Sequence, residues 1–333
     1  MSKTFKVIIG VLIIILIVAG IVFLVKNKKI TSANTFKISV NSWVGYGPMY
    51  LAQDKGFFKD EGLDVQITNM EDTAQRKAAM IKGDVDALGD TVDLLVLSRA
   101  ENVPSVTVLQ VDESNGADGI LATNNINSVR DLKGKKIAAQ KNFVGESFLM
   151  YLLKKNSMSV DDVQIIDTES GAAGAAFVSG KVDAAVTFEP WLSKAKERKD
   201  GKVLISSADA PGVIVDTVSV NETYLKNNPE NVKKFIKAWF KALDYWKNNS
   251  DESNQIMSKY YNVTPAEFKD LITGVKWPTY QENLTYFGTK SNPGKIYDIS
   301  NTFIQVFQEM GSIKDAPDMT KAIDSSLLVN LNK

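Results

Sequence analysis

The distribution of apolar positions divides the chain into two unlike stretches. Val7 to Val25 is nineteen residues without a charge, almost all Ile, Val and Leu, and at 1.5 Å per residue it reaches roughly 28 Å, about the thickness of a bilayer core. Such a run leaves no polar face, so it reads as a membrane helix rather than a helix of a soluble core. A cleavable signal peptide has a shorter apolar region followed directly by a small-residue site, whereas here Lys26-Asn-Lys-Lys29 intervenes before Thr31-Ser-Ala33. Residues 1–33 are therefore expected to be an uncleaved N-terminal transmembrane anchor. Lysines flank both ends, so basic-residue bias does not fix its orientation.

From Phe36 onward the period changes. Short strand-like runs alternate with helical ones: a strand over 37–41, a helix through 49–58, a strand over 64–68 and a helix over 73–82. Turn signals punctuate them at Lys55-Gly56, Glu61-Gly62, Lys82-Gly83-Asp84, Lys133-Gly134-Lys135 and Ser179-Gly180-Lys181. This order predicts an α/β fold with parallel sheets. The pattern also repeats. Lys82-Gly-Asp-Val-Asp-Ala87 returns as Ser179-Gly-Lys-Val-Asp-Ala184, Val65-Gln-Ile67 as Val163-Gln-Ile165, and Lys37-Ile38 as Lys136-Ile137, at offsets of 97, 98 and 99 residues. Three matches in one order predict two similar α/β units. Beyond Asp216 long helices take over: 229–248, then 252–260 and 265–272. Val232, Phe235, Ile236, Trp239, Phe240 and Leu243 form an apolar stripe on the first of these, expected to be core.

Composition sharpens this picture. With 333 residues, 44% hydrophobic and 23% charged, the chain can bury a large core, and disorder is excluded. The 39 basic and 39 acidic residues balance only overall: five lysines and no acid lie in residues 1–33, leaving a body at −5. There is no cysteine and no histidine. Disulfides, thiol nucleophiles, Cys/His zinc sites and every Ser-His or Cys-His pair are thereby removed, and no cofactor or metal is expected. Basic patches interleaved with aromatics are missing, so nucleic acid is not an expected partner.

Pro48-Met-Tyr-Leu-Ala-Gln-Asp-Lys-Gly-Phe-Phe-Lys-Asp-Glu-Gly-Leu-Asp-Val65, followed by Gly83-Asp-Val-Asp-Ala87, Asp131-Leu-Lys-Gly-Lys-Lys-Ile137, Gly180-Lys-Val-Asp-Ala184 and Glu189-Pro-Trp191, resembles the solute-binding proteins of nitrate/sulfonate/taurine-type ATP-binding-cassette (ABC) importers. The likeness spans about residues 36 to 310. It implies a two-lobed, type II periplasmic-binding-protein-like fold, with one lobe from 36–117 plus 215–333 and the other from 118–214. It further implies a monomer that captures a small solute in the interlobe cleft, meets ABC permease subunits, and is held at the cell membrane by residues 1–33 with its body outside the cytoplasm.

Ligands of open α/β sheets collect beyond the carboxyl ends of strands, which nominates Trp43, Gly45 and Tyr46 after the first strand and Asp90 and Thr91 after the third. The second lobe contributes Asn142, Gly145, Glu146 and Ser147, then Glu189 and Trp191, and Asp112 and Asp216 lie near the hinge. Relatives that take sulfonate or nitrate hold the anion at a helix N-terminus in the second lobe. Glu146 intrudes at that turn and would compete for its amides. Asp90, Asp112, Glu146, Glu189 and Asp216 would place up to five carboxylates at one cleft, which favours a ligand bearing an amine, amidine, guanidinium or urea-like group against Trp43, Tyr46 or Trp191. An aminosulfonate such as taurine would satisfy both poles. Each residue also has a competing structural role: Asp90, Asp216 and Glu189 as caps or backbone acceptors, Glu146 as a solvent-facing helix residue, Asp112 as a turn residue, Trp191 as core. Rival functions are classical nitrate or alkanesulfonate binding, a ligand-sensing ectodomain, and an enzyme. Pyrimidine-precursor synthases that resemble this family use a histidine of their own chain, and this chain has none.

Overall fold

The computed structural model describes residues 34–289 and 291–331. Among these, no helix is long and apolar enough to cross a membrane; the anchor expected over 1–33 lies outside the described residues.

Among the described residues, eleven strands form two sheets. The first contains β1 (Thr35–Val40), β2 (Asp64–Asn69), β3 (Ala87–Thr91), β4 (Ser105–Ser114), β10 (Val215–Asn221) and β11 (Val275–Lys276), in the order β11-β4-β10-β3-β1-β2. The second contains β5 (Asp118–Thr123), β6 (Lys136–Ala139), β7 (Gln164–Asp167), β8 (Ala184–Phe188) and β9 (Gly201–Ser206), in the order β7-β6-β8-β5-β9. Each sheet and its helices make one lobe of a two-lobed α/β fold. The chain crosses between sheets twice, from β4 to β5 and from β9 to β10. Ser207 joins the two crossings: its Oγ lies 2.8 Å from Ser114 Oγ and accepts from the Gly116 amide at 2.7 Å.

The repeat has a physical cause. In both copies a glycine in the left-handed region, Gly83 or Gly180, ends a helix, α2 (Thr73–Lys82) or α5 (Ser170–Val178), as glycine alone does without steric cost. A buried Val follows. The next Asp turns its carboxylate onto a strand amide: Asp86 accepts from Lys37 N at 2.8 Å and Asp183 from Lys136 N at 3.1 Å. The following Ala enters a strand parallel to that same strand, with Ile38 opposite Ala87 and Ile137 opposite Ala184. The three short matches are thus the contacting parts of one β-α-β module used twice.

The expectation of parallel sheets is corrected to mixed ones. β10, returning from the second crossing, inserts antiparallel between β3 and β4, and β5 pairs antiparallel with β8 and β9; a strand that re-enters a sheet directly, without a crossover helix, must run the opposite way. The helix expected over 49–58 is also interrupted: α1 (Gly47–Asp54) stops before Gly56, whose φ is +76°, and a short turn of helix, Phe57–Asp60, resumes. Further helices are α3 (Val92–Ala100), α4 (Val144–Lys155), α6 (Pro229–Asn248) and α7 (Lys295–Glu309). The stripe on α6 is core: Val232, Phe235, Ile236 and Trp239 are fully buried. α4 and α7 touch across the lobes through Tyr151 and Phe303, ring centroids 6.4 Å apart, and through Lys154 and Glu309 at 2.8 Å.

Candidate functional site

The carboxyl ends of β1, β3 and β8 converge where the lobes meet. Asn41, Trp43 and Tyr46 follow β1, Asp90 and Thr91 close β3, and Phe188 closes β8. Phe143 and Val144 come from the start of α4, Leu94 from α3, and Asp118, Ile214 and Asp216 from the crossings. They enclose a cavity of about 20 Å³, room for a group the size of one water or one ammonium. Trp43 and Phe188, from opposite lobes, meet edge-on at 6.1 Å with an interplanar angle of 88°, an arrangement aromatic pairs favour.

Acids dominate. Asp90, Asp93, Asp112, Asp118 and Asp216 are all buried, none more than 6% exposed. Asp216 stands opposite Asp112 across the β10–β4 pair and opposite Thr91 across β10–β3, and its Oδ1 accepts from the Tyr46 hydroxyl at 2.6 Å. Asp112 accepts from Trp43 Nε1 at 3.1 and 3.3 Å. Asp118 opens β5, and Asp93, in the first turn of α3, has both carboxylate oxygens buried without a hydrogen-bond partner. The base that touches this group is Arg76, 1% exposed. Its Nη1 donates to the Gly89 carbonyl at 2.5 Å and its Nη2 lies 3.5 Å from Asp90 Oδ1.

Burial penalises the charged form of each acid, and the neighbouring carboxylates add to it. Asp216 is pushed up to about 8, by burial first and then by Asp118, Asp90 and Asp93. Asp118 rises to about 7 and Asp93 to about 6, again mainly through burial. Asp112 is raised well above the carboxylate range. Asp90 is raised by burial too, but Arg76 opposes the shift. A cluster this crowded titrates as a unit.

Of the residues nominated from the sequence, Trp43, Tyr46, Asp90, Thr91 and Asp216 line the cavity, and Asp112 stands behind Trp43. Gly45 is packed beneath them: a Cβ there would fall 1.8 Å from Asp112 Oδ2 and 2.3 Å from Trp43 Nε1. Its carbonyl accepts from Trp277 Nε1 at 2.8 Å. Others are placed elsewhere. Asn142 is exposed, and its amide is taken by Glu146 Oε2 at 2.7 Å, so Glu146 serves its own helix terminus. Gly145 packs on Val186, and Ser147 is buried and does not line the cavity. Glu189 folds back onto Ser193, accepting from its amide at 3.1 Å and its hydroxyl at 2.9 Å. Trp191 lies over Gly174 of α5, where an added Cβ would sit 2.4 Å from the indole, with Lys194 Nζ 4.8 Å from the ring centroid. Glu189 and Trp191 thus lie outside the cavity, in local contacts of the second lobe.

The fold matches that of the alkanesulfonate-binding protein SsuA from Xanthomonas axonopodis pv. citri bound to MOPS, with a TM-score of 0.71 at 17% identity over 88% of this chain and 99% of that one. The putative binding protein YtlA of Bacillus subtilis is 27% identical over 236 residues, 66% of this chain and 69% of YtlA. A family model described as "NMT1/THI5 like" matches residues 43–253. The chain belongs to the NMT1/THI5-like family. Similarity also reaches a named enzyme, the 4-amino-5-hydroxymethyl-2-methylpyrimidine phosphate synthase THI13 of Saccharomyces cerevisiae, 27% identical over 257 residues and 73% of each chain.

Several contributors to the site of this NMT1/THI5-like chain escape sequence reasoning, among them Asp93, Asp118, Arg76 and Phe188, and also Asn41, Leu94 and Ile214. Asp118 closes the same 111–118 segment that nominates Asp112, and only the β5 register turns it inward. Arg76 carried a usable signal, a cation three and four residues before Ala79 and Met80 on the buried face of α2. Long charged residues are seldom fully buried without a partner.

Proposed function

We propose that this chain is the extracytoplasmic substrate-binding component of an ABC importer. It captures a small polar solute containing nitrogen, sulfur or both, whether amine, guanidino, urea-like or an aminosulfonate such as taurine, and delivers it unchanged to a membrane permease. The observation that carries this reading is the cavity between the lobes, walled by Trp43 and Phe188 and floored by Asp90, Asp118 and Asp216, within a family whose relatives include named binding proteins. Residues 118–214 close against 36–117 and 215–333 about the Ser207-linked crossings, a hinge motion of the kind these folds use. A synthase role like that named for the yeast relative would have to proceed without histidine.

A panel of amines, guanidines, ureas, aminosulfonates, alkanesulfonates and nitrate tests the reading by thermal unfolding of the purified chain. A ligand at a hundred times its Kd adds about 2.7 kcal/mol, a shift of several degrees. A panel without any shift would sink the proposal. Residues 1–33 are proposed to hold the protein at the membrane, so the full chain is expected in the membrane pellet; release of a soluble form beginning near Asn34 would refute the anchor.

A further inference from the structure

We propose that the ligand is a small organic cation that carries no acidic group of its own. The inference rests on the cleft being the binding site and narrows what that site accepts. The carboxylates Asp90, Asp118 and Asp216 line the cavity, with Asp93 and Asp112 directly behind, and no lining residue is basic. Arg76 is directed at the Gly89 carbonyl and Asp90 and is not among the residues that line the cavity. Five acids against one base leave the site short of positive charge, and a buried cation makes up that deficit.

The complementary pole is missing for a physical reason. A sulfonate or carboxylate on the ligand would need the amides and small hydroxyls at the start of α4, the feature that makes a helix N-terminus an anion site. Glu146 Oε2 accepts from the Asn142 amide at 2.7 Å, which sets a carboxylate beside the start of α4, and the wall presented to the cavity is Phe143 and Val144. An anion there would face apolar side chains and at least three carboxylates. An ammonium fits the cavity's volume of about 20 Å³, and the edge-on Trp43–Phe188 pair supplies ring surface for the adjoining carbons.

Matched pairs that differ only in the acid group decide the matter: ethylamine against taurine, putrescine against ornithine, and agmatine against arginine, titrated calorimetrically into the detergent-solubilised full chain. At least one amine is expected to bind ten or more times tighter than its acid-bearing partner, and Asp90→Asn to weaken that amine at least tenfold. Equal or tighter binding of the acid-bearing members overturns the inference and leaves solute binding intact. Response to nitrate or alkanesulfonates alone overturns the inference and the nitrogen-ligand reading with it. Binding of none of the six at 10 mM also overturns the inference, while the broader panel judges the transport role separately.

Discussion

Gly45→Ala is expected to abolish ligand capture and to destabilise the chain by about 1–3 kcal/mol, the usual cost of forcing a methyl into a packed core. The reason is space. Gly45 lies within a short 3-10 turn, Val44–Tyr46, and is not among the glycines with positive φ, so alanine suits its backbone. A methyl group there falls 1.8 Å from Asp112 Oδ2 and 2.3 Å from Trp43 Nε1, and either displacement breaks the Trp43–Asp112 bond and tips the indole away from Phe188. Gly47→Ala is the control: its nearest neighbour is the Met257 thioether at 3.0 Å, a flexible group that can move aside. Wild-type affinity in Gly45→Ala, or equal losses in both variants, would contradict this account.

Stability is expected to fall as pH rises from 5 to 8, and Asp216→Asn to flatten the fall. In the unfolded chain these acids titrate near 4. In the folded chain burial pushes Asp93, Asp118 and Asp216 up to about 6, 7 and 8. Between those limits the folded form holds protons that the unfolded form has released, so raising the pH favours unfolding until the folded values are passed. A tenfold change in proton affinity is worth about 1.4 kcal/mol, and the cluster together is expected to lose on the order of several kcal/mol. The groups facing it set the direction: Tyr46 and Trp43 stabilise charge at Asp216 and Asp112 by hydrogen bonding and Arg76 opposes the rise at Asp90, while the carboxylates repel one another. Asn at 216 keeps an acceptor for the Tyr46 hydroxyl without the charge, so the variant should exceed the wild type in stability at pH 8. Acids outside the cluster whose values are lowered, such as Asp131 and Asp162, lose their contribution only as pH falls through their own depressed values, outside this window. Urea midpoints at pH 5, 6.5 and 8 read the effect; a flat wild-type profile would refute it. A bound amine replaces those protons and is expected to flatten the profile as Asn does.

Much of the molecule was legible before any coordinates. α2 and α6 begin and end where the apolar period and the Asp, Pro and Gly signals place them, and the repeat predicted two related units because its residues are in mutual contact. Such features rest on neighbours close in sequence: the 3.6-residue period, the left-handed glycine, and the Asp that accepts from an adjacent strand. The excluded chemistries follow from the missing cysteine and histidine alone, and residues 1–33 are known only through their sequence.

Tertiary structure decided which acids share the cleft. Sequence supplied five candidate carboxylates, and the fold exchanged two of them: Glu146 and Glu189 satisfy amides within four residues of themselves, whereas Asp93 and Asp118 are turned inward by α3 and by the β5 register. Tyr46 and Asp216 bond across 170 residues, and that pairing depends on β10 entering antiparallel between β3 and β4. Local patterning determines what each segment becomes. Which side chains lose their water, and whose charge they then feel, is decided only when distant strands pack, because desolvation and Coulomb interaction act through space and carry no period along the chain.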